Sequence, residues 1–160
     1  MVIRQASRLL LLDDARRVLL FKYEDGGGSW WATPGGGLEQ SETFESAARR
    51  EAEEELGLKD FSLQELWERT TEFQSRGKAV QQTERYFLVH ARSGYLMPGD
   101  KVREAHAVEG ILAAKWWLPT EIRDTTERIF PEDLLRRLEK IWKHERTGCS
   151  GDSAVGVPSA

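Results

Sequence analysis

Glu51, Glu54 and Glu55 stand at i, i+3 and i+4, so on a helix of 3.6 residues per turn three carboxylates share one face. Like charges at this spacing repel by a few tenths of a kcal/mol per pair. A hard divalent cation is the simplest agent that turns the repulsion into attraction, because magnesium takes oxygen ligands from a few carboxylates and from substrate phosphates. A metal so held neutralises phosphate oxygens that would otherwise repel an attacking water, and it lowers the pKa of water bound to it. The chemistry that such a cluster suits is hydrolysis of a diphosphate linkage.

The three carboxylates belong to a longer pattern: Gly36, five residues, Glu42, seven residues, Arg50-Glu51-Ala52, one residue, Glu54-Glu55, one residue, Gly57-Leu58. Seven residue types at fixed offsets recur by chance in a chain of this size on the order of one time in a million. The competing reading is a solvated helix face balanced by Arg49 and Arg50. A solvated face does not call for glycines at both ends of the helix.

The pattern resembles, without a mismatch, the Nudix box of the Nudix hydrolases, G-x5-E-x7-R-E-U-x-E-E-x-G-U, with Ala52 a small residue at the bulky aliphatic position U. The preceding Trp31-Ala32-Thr33-Pro34-Gly35-Gly36-Gly37 is similar to the family's usual entry to the box. The resemblance implies an α/β fold, the Nudix α/β/α sandwich, with a mixed β-sheet between helices. It implies Mg²⁺ or Mn²⁺ as cofactor, held by Glu51, Glu54 and Glu55, with Glu54 and Glu55 in the catalytic set and Arg50 orienting a neighbouring glutamate through charge-assisted hydrogen bonds. Glu42 either touches the metal or secures the loop around the helix start; the second is preferred. For the general base, Glu109 is the loop candidate, Glu104 the runner-up, and a box glutamate takes the role if neither does.

Gly35, Gly36 and Gly37 can bring backbone close to a ligand or merely form a tight turn. Lys22, at the end of a strand where the family often places a basic residue near phosphate, is the first cation to test for substrate binding. Arg76, Lys78 and Arg85 could serve similarly, and Tyr23, Trp30 and Phe73 could stack on a base. The implied function is cleavage of a nucleoside diphosphate linked to another group, with nucleoside triphosphates first to test. The residues near Gln74 show neither the proline associated with ADP-ribose hydrolases nor the tyrosine associated with dinucleoside polyphosphate hydrolases. The alternative is a Nudix-like domain that binds a nucleotide and regulates a partner without turnover, although such proteins often lose box carboxylates. The isoprenoid isomerase branch would want a core cysteine, and Cys149 lies in the tail.

Other elements must hold this loop and helix in place. Ser7 to Leu12 and Val18 to Tyr23 read as a strand hairpin around Asp13-Asp14-Ala15-Arg16-Arg17, followed by a short strand Trp30 to Thr33 and a Pro34-Gly-Gly-Gly turn. The helix opens at Ser41-Glu42-Thr43 and stops at Gly57. Phe61 to Gln74 and Gln81 to Ala91 predict paired strands, the second with Tyr86, Leu88 and His90 on one side and Phe87, Val89 and Ala91 on the other. Ile111 to Leu118 predicts a strand, and the stripe Ile129, Leu134, Leu135, Leu138, Ile141, Trp142 a helix opening at Pro131.

Composition sets the frame. One hundred and sixty residues, 39% hydrophobic and 31% charged, describe a single domain over residues 1–146 with a disordered tail over 147–160. A net charge of −4 argues against a general nucleic-acid binder, while a small phosphorylated ligand stays compatible with it. The single cysteine suits a reducing cytoplasm, and the four-residue apolar run Leu9 to Leu12 is too short for a membrane span. His90, His106 and His144 share no zinc spacing. Relatives in the resembled family often form homodimers, and the sequence leaves that open.

Overall fold

The computed structural model describes residues 1–91, 107–108 and 110–156. Its elements run β1 (Val2–Leu12), β2 (Val18–Asp25), β3 (Gly28–Ala32), β4 (Gly35–Gly37), α1 (Phe44–Leu56), β5 (Gln64–Ser75), β6 (Lys78–His90), β7 (Ile111–Trp117), α2 (Pro119–Asp124), β8 (Ile129–Phe130) and α3 (Leu134–Gly156). The strands form one mixed sheet in the order β5-β6-β1-β2-β3-β8, with β4 on β1 and β7 on β2. β1 runs parallel to β6 from Val2↔Val80 to Leu12↔His90, and β3 runs parallel to β8.

Alternation along the strands feeds two cores. Leu9 and Leu11 on β1, Leu19 and Phe21 on β2, and Phe87 and Val89 on β6 pack with Ala48, Ala52 and Leu56 of α1. On the opposite face Leu10, Leu12, Val18, Leu20 and Leu88 pack with Leu134, Leu138 and Trp142 of α3. The sheet is therefore covered on both sides, as the α/β/α reading requires.

The opening hairpin is narrower than its sequence suggests. β1 meets β2 only at Leu12↔Val18, and the two strands then splay, because β1 spends its length on β6 while β2 pairs with β3 and β7. The splay leaves room for β4: the Gly35-Gly36-Gly37 stretch, expected as a turn, is a short strand with Ala6↔Gly37, Ser7↔Gly36 and Arg8↔Gly35 in register. The expected helix start at Pro131 also shifts. Ile129–Phe130 pair with Trp31–Ala32 as β8, and α3 begins at Leu134. The backbone of α3 continues to Gly156, into the segment that composition assigns to a disordered tail. No described helix is long and apolar enough to cross a membrane.

Candidate active site

α1 is fixed at both ends by its own sequence. Thr43 Oγ1 accepts from the Ser46 N–H at 3.0 Å and Ser46 Oγ accepts from the Thr43 N–H at 3.0 Å, a reciprocal cap. Gly57, at φ 66°, ends the helix, its N–H donating to the Glu53 carbonyl. Ser7, fully buried on β1, donates its hydroxyl to the Phe44 carbonyl at 2.6 Å and pins the first turn of the helix to the sheet.

This anchoring sets the box glutamates against β4. Glu55, 3% exposed, accepts from the Gly35 N–H at 3.0 Å. Glu51, also buried, lies so close to Gly36 that a Cβ there would run into its carboxylate. Gly35 sits at φ +140° with its α-carbon packed on the β1 backbone, where a side chain would meet the Ser7 carbonyl. Each of these two positions thus needs glycine for a stated reason: one for its dihedral and its approach to β1, the other to leave space for a carboxylate.

Arg50 gathers the rest. Its Nε and Nη2 donate to the two oxygens of Glu42 at 2.9 Å each, Nη2 also reaches the Gly37 carbonyl at 2.9 Å, and Nη1 donates to Glu51 at 2.9 Å and Glu54 at 3.3 Å. The bond to Glu42, followed by those to Glu51, raises the pKa of Arg50. Glu42 is held below the ordinary carboxylate value by Arg50 and by the Glu39 N–H. Glu42 thus faces Arg50 and ties the loop to the helix.

Glu51 and Glu55 are the pair the geometry brings together. The carboxyl of Glu55 is pushed up to about 8, by burial first and by the charge of Glu51 second; the Gly35 N–H and Arg8 pull the other way. The two carboxyl groups lie close enough that the charge of one disfavours the charge of the other. A divalent cation at that position would let both ionise, so this all-oxygen donor pair fits Mg²⁺ or Mn²⁺. Among the described residues no three His, Cys, Asp or Glu side chains are arranged to hold an ion as they stand. The side chain of Glu54 is 52% exposed and paired with Arg50. It shares the face of Glu51 by helix periodicity and has room to turn.

Lys22 is not gathered into this cluster. Its Nζ donates to Glu127 at 3.4 Å and stands 5.6 Å over the Trp31 ring, and the Trp31 N–H donates to the same Glu127 at 3.1 Å. Glu109 and Glu104, the expected base candidates, lie outside the described residues.

Beside the box lies a cleft of about 560 Å³ whose wall carries Arg8, Arg69 and Arg128, the carboxylates Asp25, Glu72, Glu84 and Glu132, and the rings of Trp30, Phe73 and Phe130. A larger cavity of about 770 Å³ between β5, β6 and α3 is far from the box glutamates, and its wall is mostly apolar. The cleft adjoins the box through Arg8, whose Nη1 reaches the Gly35 carbonyl at 3.5 Å while the Gly35 N–H holds Glu55. Its buried floor is a charged feature that motif reading missed. Parity could have found it, since Glu84 shares the face of Tyr86 and Leu88, and Arg8 that of Leu10 and Leu12: charges in register with apolar neighbours.

A family model described as the NUDIX domain matches residues 2–138. No curated protein matches the chain. Among solved structures, a MutT NUDIX hydrolase from Burkholderia pseudomallei is 22% identical with a TM-score of 0.57, the match covering 87% of this chain and 98% of that one. A MutT protein from Methanosarcina mazei Go1 is 14% identical with a TM-score of 0.60, covering 90% and 96%. The C. elegans Ap4A hydrolase is 18% identical with a TM-score of 0.59, covering 89% and 99%. These likenesses show the fold. With the family match spanning the box and the whole sheet, the chain belongs to the NUDIX domain family, as an enzyme of the pyrophosphohydrolase class.

Proposed function

We propose that the protein hydrolyses the diphosphate linkage of a nucleoside diphosphate derivative, with nucleoside triphosphates the first class to test, using Mg²⁺ or Mn²⁺ at Glu51, Glu54 and Glu55. The observation that carries this reading is the buried Glu51–Glu55 pair on a capped helix, beside a cleft of nucleotide size. When bound, the metal would neutralise phosphate oxygens and lower the pKa of a coordinated water.

The chain's own residues have separate tasks. Glu51 and Glu55 supply buried oxygen donors whose positions are set by Gly36 and by the Gly35 N–H. Glu54, exposed and adjacent, supplies the third carboxylate and can accept a proton from water at the solvent side. Arg50 holds Glu51 and Glu54 from the flank and, through Glu42 and the Gly37 carbonyl, keeps the Gly35–Gly37 strand against the helix. Gly35, Gly36 and Gly37 present backbone to the substrate at the junction of the box and the cleft. Glu109 is the loop candidate for the general base, with Glu104 next, and a protein with these needs suits a reducing cytoplasm.

The test is incubation of the protein and its Glu54→Gln variant with Mg²⁺ or Mn²⁺ and a panel of nucleoside triphosphates, ADP-ribose, dinucleoside polyphosphates and nucleotide sugars. Metal-dependent release of phosphate, pyrophosphate or nucleoside monophosphate, lost in the variant, supports the hydrolase. Nucleotide binding without any cleavage would move the reading to a regulatory nucleotide-binding domain.

A further inference from the structure

Glu84 is 4% exposed, yet it is a carboxylate at the floor of the cleft. Each of its oxygens accepts two hydrogen bonds: Oε1 from Arg8 Nε at 3.1 Å and Gln82 Nε2 at 2.9 Å, Oε2 from Arg69 Nε at 2.8 Å and the Tyr86 hydroxyl at 3.1 Å. Burial works against its charge, and Arg8 and Arg69 overcome that, holding it below the ordinary carboxylate value. The acceptor capacity of Glu84 is therefore spent inside the protein, and nothing is left over for a ligand.

Its two partners are not spent. Arg69 uses Nε on Glu84 and Nη1 on Glu132 at 3.2 Å, and Arg8 uses Nε on Glu84 and Nη1 on the Gly35 carbonyl. Neither Nη2 group has an acceptor among the described residues, and both side chains line the cleft. One carboxylate thus fixes two guanidinium forks, which offer donors only. The cleft also carries Trp30, Phe73 and Phe130, rings on which a planar base can stack.

We propose that Arg8 and Arg69, held by Glu84, are specificity-determining residues that select nucleotides whose base presents a keto oxygen over those that present an amino group at the same position. A keto oxygen accepts from the forks. An amino group sets donor against donor and leaves the guanidinium N–H groups without a partner on binding. The aromatic wall argues for a base in this cleft over a further phosphate, which the same forks would otherwise accept. The proposal deepens the hydrolase reading, on which it rests for the substrate being a nucleotide.

The sharpest probes are pairs that exchange the keto for the amino group, and with it the N–H of the adjacent ring nitrogen for a lone pair, namely inosine diphosphate against adenosine diphosphate, and uridine diphosphate against cytidine diphosphate. Isothermal titration of the full-length protein without metal should give the keto member about tenfold or more tighter binding in each pair, the scale of one bidentate contact. Arg69→Lys and, separately, Arg8→Lys keep the charge but lose the fork, and each should bring the ratio to within about twofold. Equal affinities in the wild type overturn the proposal, as does a ratio that survives in both variants, or inorganic pyrophosphate displaced from the forks with the same dependence on Arg69 and Arg8 and no base preference. The two variants back each other if one fails to fold. Because binding is read without turnover, keto selection with no hydrolysis of any panel member would refute the hydrolase reading alone, and hydrolysis without selection would refute this proposal alone.

Discussion

Two clusters of charge lie on either side of the Gly35 peptide, one left short of cations and the other matched. At α1, Glu42, Glu51 and Glu54 surround one cation, Arg50, and Glu55 lies against Glu51. In the cleft, Arg8 and Arg69 surround one anion, Glu84. The first leaves negative charge unmatched and pushes Glu55 up to about 8; the second satisfies its carboxylate and holds it low. An unmatched buried pair of carboxylates asks for a cation, whereas a satisfied one is a scaffold for the groups that hold it. An acidic cluster open to a cation beside a cleft that offers guanidinium donors suits a ligand that brings metal and phosphate to one end and hydrogen-bond acceptors to the other.

The largest way to break the comparison is at the exposed end of the acidic cluster. Glu54→Gln should lower turnover between about 10²- and 10⁴-fold, the range for loss of a positioned proton acceptor. Its melting temperature should stay near wild type, because the side chain is half exposed. Steady-state kinetics in saturating metal check both the reading of Glu54 and its independence from the fold.

Next come the two buried carboxylates, whose neutralisation should move stability in opposite directions. Glu84→Gln leaves two guanidinium groups without their shared anion and should cost about 3 kcal/mol, the scale for breaking a buried charged set. At pH 8 and above, where Glu55 ionises against Glu51, Glu55→Gln removes one of two like charges and should raise the melting temperature of the metal-free protein by about 2–4 °C, equivalent to about 1 kcal/mol. Thermal melts in chelator decide, and a loss of stability in both variants would erase the distinction between the clusters.

Dependence on pH sharpens the same contrast. Glu84 titrates below its ordinary 4.5 in the folded protein, so the stability it adds is present above about 4.5 and is lost as pH falls through the lower value. Glu55 titrates near 8, so its protonated form adds stability that is full below about 4.5 and is lost as pH rises towards 8. The metal-free protein should therefore weaken between about pH 5 and pH 8. Glu55→Gln should flatten that trend, and added Mg²⁺ or Mn²⁺ should reverse it at the upper end.

Much of the acidic cluster was legible in the sequence because its residues are local. Thr43, Glu51, Glu54, Glu55 and Gly57 lie within one helix and its caps, so a period of 3.6 carries their arrangement. The cleft was legible only in part: strand parity sets Arg8 and Glu84 among apolar neighbours, but their meeting with Arg69 rests on a parallel β1–β6 register and an antiparallel β5–β6 register, which no local period encodes. Gly35–Gly37 misled for a related reason: whether a glycine run turns or pairs depends on whether a neighbouring strand has a vacant edge, and β1 has one where β2 splays away. β8 is two residues long and has no period to read, so Ile129–Phe130 were joined to the following helix.

The smallest expected effect concerns Lys22, expected at a strand end as a phosphate-binding cation and found inside β2. Its ammonium is shared between Glu127 and the face of Trp31, and Trp31 is in turn bonded to Glu127, so the three hold β2, β3 and the loop before β8 together. With Glu127 already opposite it, Lys22 has little positive field to extend to a ligand. Lys22→Met should therefore change kcat/KM by less than about fivefold and stability by less than about 1 kcal/mol, as for a partly exposed ion pair. Glu127→Gln is the matching control. If Lys22 only braces the loop, both substitutions act alike. If Lys22 reaches phosphate, Lys22→Met raises KM while Glu127→Gln lowers it by releasing the cation, and the positive end of the comparison would have to be extended from the cleft to β2.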